Sequence, residues 1–154
     1  MPDQDLSVED RTALLLGRLV FACARLEFEV KMIALHLEGE RASKLSQKDQ
    51  LSLIRRITKD HSDAAQIETW THQTNAILRD RGEIVHGSYM GVYEGDGERR
   101  GFIAHKALAE VSIDDDRLIA ITSRADAAAA QGNILSNKLF DEHIDKFPPP
   151  SPFA

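Results

Sequence analysis

Two arginines and a histidine lie close together near the middle of the chain. Arg79 and Arg81 precede His86 by seven and five positions, and Gly87 follows the histidine directly. The residues between them suit a helix, and a helix of about 3.6 residues per turn places Arg79 and His86 on nearly the same face. Histidine titrates near neutral pH and arginine presents a planar set of N–H donors. This spacing therefore favours acid-base chemistry beside an anionic group.

A long helix is predicted ahead of these residues, from just after Ser7 to Gly39. Ser7 and Asp10 form a capping-box pattern in which aspartate replaces the usual glutamate, and Gly39 is a natural stop. Glu27 has two interpretations, a buried carboxylate that orients an arginine or an exposed ion pair with Lys31. The apolar residues of this helix recur every three or four positions: Leu15, Leu19, Cys23, Leu26, Val30, Ile33 and Leu37.

Two further helices are predicted between residues 46 and 86. Ser46 and Asp49 repeat the start signal of the first helix, and the short amphipathic helix behind them fades near Lys59. The next helix begins near residue 62 or 63 and runs to His86. Its apolar stripe, which Arg81 interrupts, contains Ile67, Trp70, Thr74, Ile77 and Ile84, and its polar stripe contains His72, Asn75, Arg79, Glu83 and His86.

The pattern changes from helix to strand after Gly87. Runs at 89–93 and 101–105 flank turn residues and predict a hairpin. Runs at 108–113 and 118–121 extend the hairpin to a small antiparallel meander. The aspartates at 114–116 lack the spacing of a calcium loop and indicate a solvated turn.

A final helix and a proline-rich tail complete the predicted elements. Thr122 or Ser123 is expected to cap the helix, and Gly132 is expected to weaken its middle. The tail at residues 148–154 cannot continue a helix, because successive prolines remove backbone donors.

The composition limits the classes of protein and of partner. A chain of 154 residues that is 42% hydrophobic and 29% charged fits one domain, here residues 1–147. Its net charge of -6 means that any nucleic-acid contact needs a local basic patch. A lone Cys23, no secretion signal and no apolar run of about 20 residues favour a cytoplasmic protein without a membrane span. The most basic segment carries Lys44, Lys48, Arg55, Arg56 and Lys59, and is either a solvated face or an RNA contact.

Other chemistries lack a sequence signature. The glycines at 95, 97 and 101 lie between strands, so they do not form a phosphate loop. The six histidines are dispersed without a second ligand at metal-binding spacing. No serine, cysteine or threonine lies in a nucleophile motif. We therefore expect neither a metal nor a cofactor.

The segment Arg81-Gly82-Glu83-Ile84-Val85-His86-Gly87 resembles the Arg-x4-6-His motif of HEPN domains. This helical family occurs in prokaryotic RNase toxins and in partners of nucleotidyltransferases, and its first helix often carries a Leu-Glu pair such as Leu26-Glu27. The resemblance implies a mainly α-helical four-helix bundle, with the strands of about 88–121 inserted before the last helix. In active members Asn, Asp or His usually follows the arginine. Two registers are therefore open: Arg81 followed by Gly82, and Arg79 followed by Asp80.

The resemblance implies metal-independent RNA cleavage of toxin or defence type, in a homodimer that brings two motifs together. His86 would be the acid-base group and Arg81 or Arg79 the clamp on the transition state. Alternatively, the arginines pair with carboxylates and His86 caps the helix end. The protein would then be a non-catalytic dimeric helical module that binds a protein or nucleotide partner. An antitoxin-type protein is a further expected partner. The residues predicted to support the site are Asp80, Glu83, Glu27, His72 and Asn75.

Overall fold

The chain is mainly α-helical, as predicted, and the computed structural model describes residues 6–86, 88–93, 99–106 and 109–144. The predicted turn at 94–98 and the proline-rich tail at 148–154 lie outside the described residues. The elements in chain order are α1 (Val8–Glu38), α2 (Glu40–Ser43), α3 (Gln47–Ile57), α4 (Ala64–Val85), β1 (Ser88–Tyr93), β2 (Arg99–Lys106), β3 (Ala109–Ile113) and α5 (Asp115–Ile144).

Serine side chains start α1 and α3, which confirms both predicted starts. The Ser7 hydroxyl accepts the backbone N–H of Asp10 at 3.1 Å and donates to the Asp10 carboxylate at 2.7 Å. Ser46 makes the same two hydrogen bonds with Asp49, at 3.2 and 2.6 Å. Gly39 follows α1 with a positive φ of 74°, a conformation that residues with a side chain rarely adopt, and the helix ends before it as predicted. The single-turn α2 behind it is absent from the sequence prediction.

Three antiparallel strands lie between α4 and α5. They are ordered β1-β2-β3, with Met90 opposite Ile103 and Phe102 opposite Ile113. The predicted fourth strand at 118–121 is wrong, because those residues belong to α5.

The predicted start of α5 near residue 122 is also wrong. The helix begins at Asp115, and the Asp114 carboxylate accepts the backbone N–H of Arg117 at 2.7 Å. The aspartate triplet is therefore a helix start, since carboxylates are favoured at the positive end of the helix dipole. Three residues in the first part of α5 are buried, and they recur at the helical spacing of three and four: Leu118, Ile121 and Ala125.

The chain forms two compact units. Unit 1 comprises Met1–Arg25 and Ala76–Ala127, and unit 2 comprises Leu26–Asn75 and Ala128–Ala154. The single domain at 1–147 stays a prediction. Within unit 1, an ion pair between Arg11 Nε and Asp115 Oδ2 at 2.7 Å joins α1 to α5. The core of unit 1 includes Leu15, Leu19, Cys23, Ile77, Leu78, Ile84, Leu118 and Ile121.

Trp70 organises the packing of unit 2. It is fully buried, and its indole N–H donates to the Ala128 carbonyl at 2.8 Å. A Cβ atom at Gly132 would lie 2.8 Å from Trp70 Cζ2 and 2.9 Å from Glu29 Cβ. Gly132 therefore lets α5 approach the indole closely, and α5 continues through it. Other members of this core are Leu26, Val30, Ile33, Leu51, Ile54, Ile67, Leu135 and Leu139.

Among the described residues, no helix is both long enough and apolar enough to cross a lipid bilayer.

Candidate functional site at the end of α4

The residues predicted for catalysis lie at the C-terminal end of α4, in unit 1. The backbone N–H of His86 donates to the Gly82 carbonyl at 3.1 Å, so the helical hydrogen-bond pattern continues one residue past Val85. The His86 side chain is exposed. Among the described residues it has no hydrogen bond or ion pair. The imidazole at this helix end is therefore open to a ligand from solvent.

Arg79 is the most accessible charged group of this cluster that makes a polar contact. Its side chain is 70% exposed, and its Nη2 atom lies 4.0 Å from the Asp80 carboxylate. Adjacent residues on a helix do not face each other, and an exposed pair at this distance contributes little. Because seven residues complete almost two helical turns, the directions of the Arg79 and His86 side chains around the helix axis differ by only about 20°. The two residues are about 10 Å apart along the axis. The guanidinium is thus accessible to an anion on that face.

Arg81 has a different environment from Arg79. It is half-buried and continues the stripe that contains Ile77 and Ile84, which are 2% and 0% exposed. Part of the Arg81 side chain is therefore covered by other residues of the protein. The two registers of the motif therefore differ in accessibility, with Arg79 in solvent and Arg81 partly enclosed.

Arg124 joins this cluster from α5 and is the residue that the sequence prediction missed. Its Nη1 atom lies 3.6 Å from Asp80 Oδ2, and the Asp80 side chain is only 22% exposed. Asp80 therefore lies between two arginines, Arg79 on its own helix and Arg124 on another. The sequence contains no local signal for Arg124, because its place depends on the packing of α5.

The electrostatic balance of the cluster is slightly positive. The cluster contains three arginines and two carboxylates, so its net charge is +1 when His86 is counted as neutral. The arginines are Arg79, Arg81 and Arg124, and the carboxylates are Asp80 and the half-buried Glu83. In a chain whose net charge is -6, this is a local reversal of sign. Such a reversal is what an anionic ligand requires.

Three of the predicted supporting residues belong to unit 2. Glu27 is half-buried on α1, and Asn75 is exposed on α4. His72 is exposed and lies 3.4 Å from the Arg55 guanidinium and 3.8 Å from the Glu68 carboxylate.

A second polar cluster, which the sequence prediction also missed, joins the start of α4 to α5 within unit 2. His61 Nδ1 accepts the backbone N–H of Asp63 at 3.0 Å, and His61 Nε2 lies 2.5 Å from the Glu142 carboxylate. Lys138 donates to the Asp63 carboxylate. This hydrogen bond lowers the pKa of Asp63 below its ordinary 3.8 and raises the pKa of Lys138 above its ordinary 10.5. We name these four residues the latch cluster.

Neither metal ligands nor known relatives identify the chemistry of the site. Within the part of the chain that the structure describes, no group of three or more His, Cys, Asp or Glu side chains is placed to hold a metal ion. The sequence matches no family model, and comparisons with curated proteins and with solved structures found no match.

Proposed function

We propose that this protein is a HEPN-like, metal-independent endoribonuclease of toxin or defence type that acts in the cytoplasm. The observation that supports it is the exposure of Arg79 and His86 on one face at the end of α4. Arg124 adds a further positive charge beside the half-buried Asp80. The four-helix arrangement of HEPN domains, with the strands before the last helix, is part of this proposal.

The proposed reaction is an internal transesterification of RNA. A neutral His86 takes the proton from a ribose 2'-hydroxyl, and the 2' oxygen forms a bond to the adjacent phosphorus. The bond between phosphorus and the 5' oxygen breaks, and that oxygen takes a proton from a protonated histidine. The products are a 2',3'-cyclic phosphate and a 5'-hydroxyl. Every atom is conserved, and the step uses no oxidant or reductant.

Arg79 is proposed as the clamp on the transition state. Negative charge develops on the phosphoryl oxygens as the pentavalent state forms, and planar N–H donors stabilise it. Arg79 is preferred to Arg81 for this role because its guanidinium is accessible and lies on the same face as His86. Arg81 is instead assigned to positioning the end of α4.

A homodimer is proposed to supply the second proton-transfer group. One His86 cannot be base and acid at once, whereas a two-fold axis near the end of α4 brings two copies together. One copy would then deprotonate the 2'-hydroxyl while the other protonates the leaving oxygen.

The test of the proposal compares two substrates that differ only at the 2' position. A labelled RNA and its 2'-O-methyl counterpart are incubated with the protein in excess chelator. We expect cleavage of the RNA alone, with cyclic phosphate ends, in an activity that co-elutes with the protein during gel filtration. Cleavage of both substrates, or of neither, would contradict the proposed reaction.

A second candidate function is a non-catalytic dimeric helical module that binds a protein or nucleotide partner. It is favoured by large apolar side chains on the surface of the unit 1 part of α1, where Leu14, Val20 and Phe21 are 37%, 44% and 69% exposed. Under this alternative, Phe21→Ser weakens self-association in sedimentation velocity, and neither the wild type nor the variant cleaves RNA.

A further inference from the structure

Arg55 of α3 lies against His72 of α4 within unit 2. Its Nη1 atom is 3.5 Å from His72 Nδ1 and 3.4 Å from His72 Nε2. A neutral imidazole has one acceptor nitrogen and one N–H, so at most one of these two contacts is a hydrogen bond from the guanidinium. The guanidinium has five N–H donors, and most of them are therefore left for another acceptor.

Arg55 also has no carboxylate partner among the described residues. The remaining contact of its guanidinium is a long one, from Nη2 to the Ser52 hydroxyl at 3.4 Å. No carboxylate in the described ranges lies within 4.0 Å of it. Arg55 as a whole residue is half-buried, and an oxyanion with paired acceptors is the strongest available partner for its guanidinium.

The surroundings of Arg55 on α3 are basic. Lys48, Ser52 and Arg55 recur at intervals of four and three, so they share one face of the helix. The contact from the Ser52 hydroxyl to the Lys48 carbonyl at 3.0 Å runs along this face. Arg56 and Lys59 are exposed nearby. This segment therefore attracts a polyanion, although the chain as a whole is acidic.

We propose that Arg55 and His72 bind a backbone phosphate of single-stranded RNA on unit 2, apart from the cleavage chemistry. Arg55 supplies paired donors to two phosphate oxygens, and His72 supplies a third donor. The Glu68 carboxylate lies 3.8 Å from His72 and would repel the phosphate. Removing its charge should therefore increase the affinity for RNA. This inference rests on the proposed function only in taking RNA as the ligand, because binding needs no cleavage.

The experiment measures binding of a short 2'-O-methyl RNA by fluorescence anisotropy over a series of monovalent salt concentrations. Arg55→Ala is expected to raise the Kd about tenfold, as for the loss of one charge-assisted contact. The slope of log K against log salt should become shallower by about 0.7, as for one phosphate on a single strand. Arg41→Ala is the matched control, since Arg41 is an exposed arginine of the same unit. It should change the Kd by about twofold or less.

A gain of affinity separates this site from a folding defect. Glu68→Gln removes the opposing charge and should lower the Kd by about two- to threefold, a direction that misfolding does not produce. Arg55→Lys keeps the charge without the paired donors and should fall between the wild type and Arg55→Ala.

Three outcomes would overturn the proposal. They are equal effects of Arg55→Ala and Arg41→Ala, no gain from Glu68→Gln, and binding of inorganic phosphate without binding of RNA. The last outcome would assign the site to free phosphate. Because the probe is not cleaved, failure here leaves the RNA cleavage test unaffected, and failure of that test leaves this one unaffected.

Discussion

The latch cluster of unit 2 and the arginine-histidine cluster of unit 1 use charged side chains in opposite ways. In the latch cluster, His61 engages both ring nitrogens, and Lys138 donates to Asp63. In unit 1, Arg79 is 70% exposed and reaches Asp80 only at 4.0 Å. Groups that satisfy one another hold two helices together, whereas groups left in solvent remain available to a ligand.

The comparison extends from charge to packing. The Gly132 site in unit 2 has no room for a methyl group, whereas a Cβ atom at Gly17, on the unit 1 part of α1, would meet nothing within 4 Å. Unit 2 thus contains a position where an added methyl group must displace a neighbour. Substitutions at these two glycines should therefore have opposite effects on the free energy of unfolding.

The largest expected effect distinguishes the two arginines of the motif. Arg79→Ala should lower RNA cleavage by about 10²- to 10³-fold, the usual result of removing a transition-state donor, with an unchanged free energy of unfolding. Arg81→Ala should lower the free energy of unfolding, because the side chain is half-buried beside Ile77 and Ile84. Cleavage rates and urea unfolding of both variants make the measurement. If Arg81→Ala instead lowered cleavage and Arg79→Ala did not, Arg81 would be the transition-state clamp.

The second prediction concerns the two glycines. Gly132→Ala should lower the free energy of unfolding by about 1–2 kcal/mol, because the overlap with Trp70 outweighs the gain in helix propensity. Gly17→Ala is the control and should raise it by about 1 kcal/mol, since the site is open and helical. Urea unfolding measures both. Equal effects of the two substitutions would refute the difference in packing.

The third prediction concerns the two histidines of unit 2. His61→Ala should cost about 1–2 kcal/mol of unfolding free energy, because it leaves the Asp63 N–H and the Glu142 carboxylate without their partner. His72→Ala, at an exposed position, should change it by less than about 0.5 kcal/mol. His61→Ala should not reduce the cleavage rate per folded molecule. A larger effect at His72 would contradict the structural role assigned to His61.

The smallest expected effect is the pH dependence of the Asp63–Lys138 pair, since both groups are solvated. The lowered pKa of Asp63 adds stability above 3.8 that is lost as pH falls through the folded-state pKa. The raised pKa of Lys138 adds stability below 10.5 that is lost as pH rises through its folded-state pKa. The wild type should therefore exceed Asp63→Asn in unfolding free energy between these limits and approach it beyond either. If the difference in unfolding free energy between the wild type and Asp63→Asn were the same at every pH, the ion pair would not contribute to stability as proposed.

Local signals in the sequence are sufficient for much of the fold. Ser7 and Ser46 mark helix starts through hydrogen bonds to residues three positions away, which a sequence pattern contains directly. The apolar stripe of α4 is likewise buried at Ile67, Trp70 and Ile84. The start of α5 is harder to predict, because residues 118–121 also suit a strand and the aspartates before them also suit a turn.

The candidate site is only partly predictable for a different physical reason. His86 and Arg79 lie on one helix, so their relation follows from helical geometry. Arg124, His61 and Lys138 have partners that are 44, 81 and 75 residues away along the chain. Such contacts depend on how helices pack, and no pattern within one helix contains them.

The central claim is that the exposed end of α4 performs acid-base catalysis, and His86→Ala tests it most directly. The wild type and His86→Ala are purified in parallel, their unfolding free energies are compared, and RNA cleavage is measured in excess chelator. We predict a loss of about 10²- to 10⁴-fold in cleavage rate with unchanged stability, because the side chain is exposed and makes no hydrogen bond or ion pair among the described residues. Equal cleavage by the two proteins would contradict the claim.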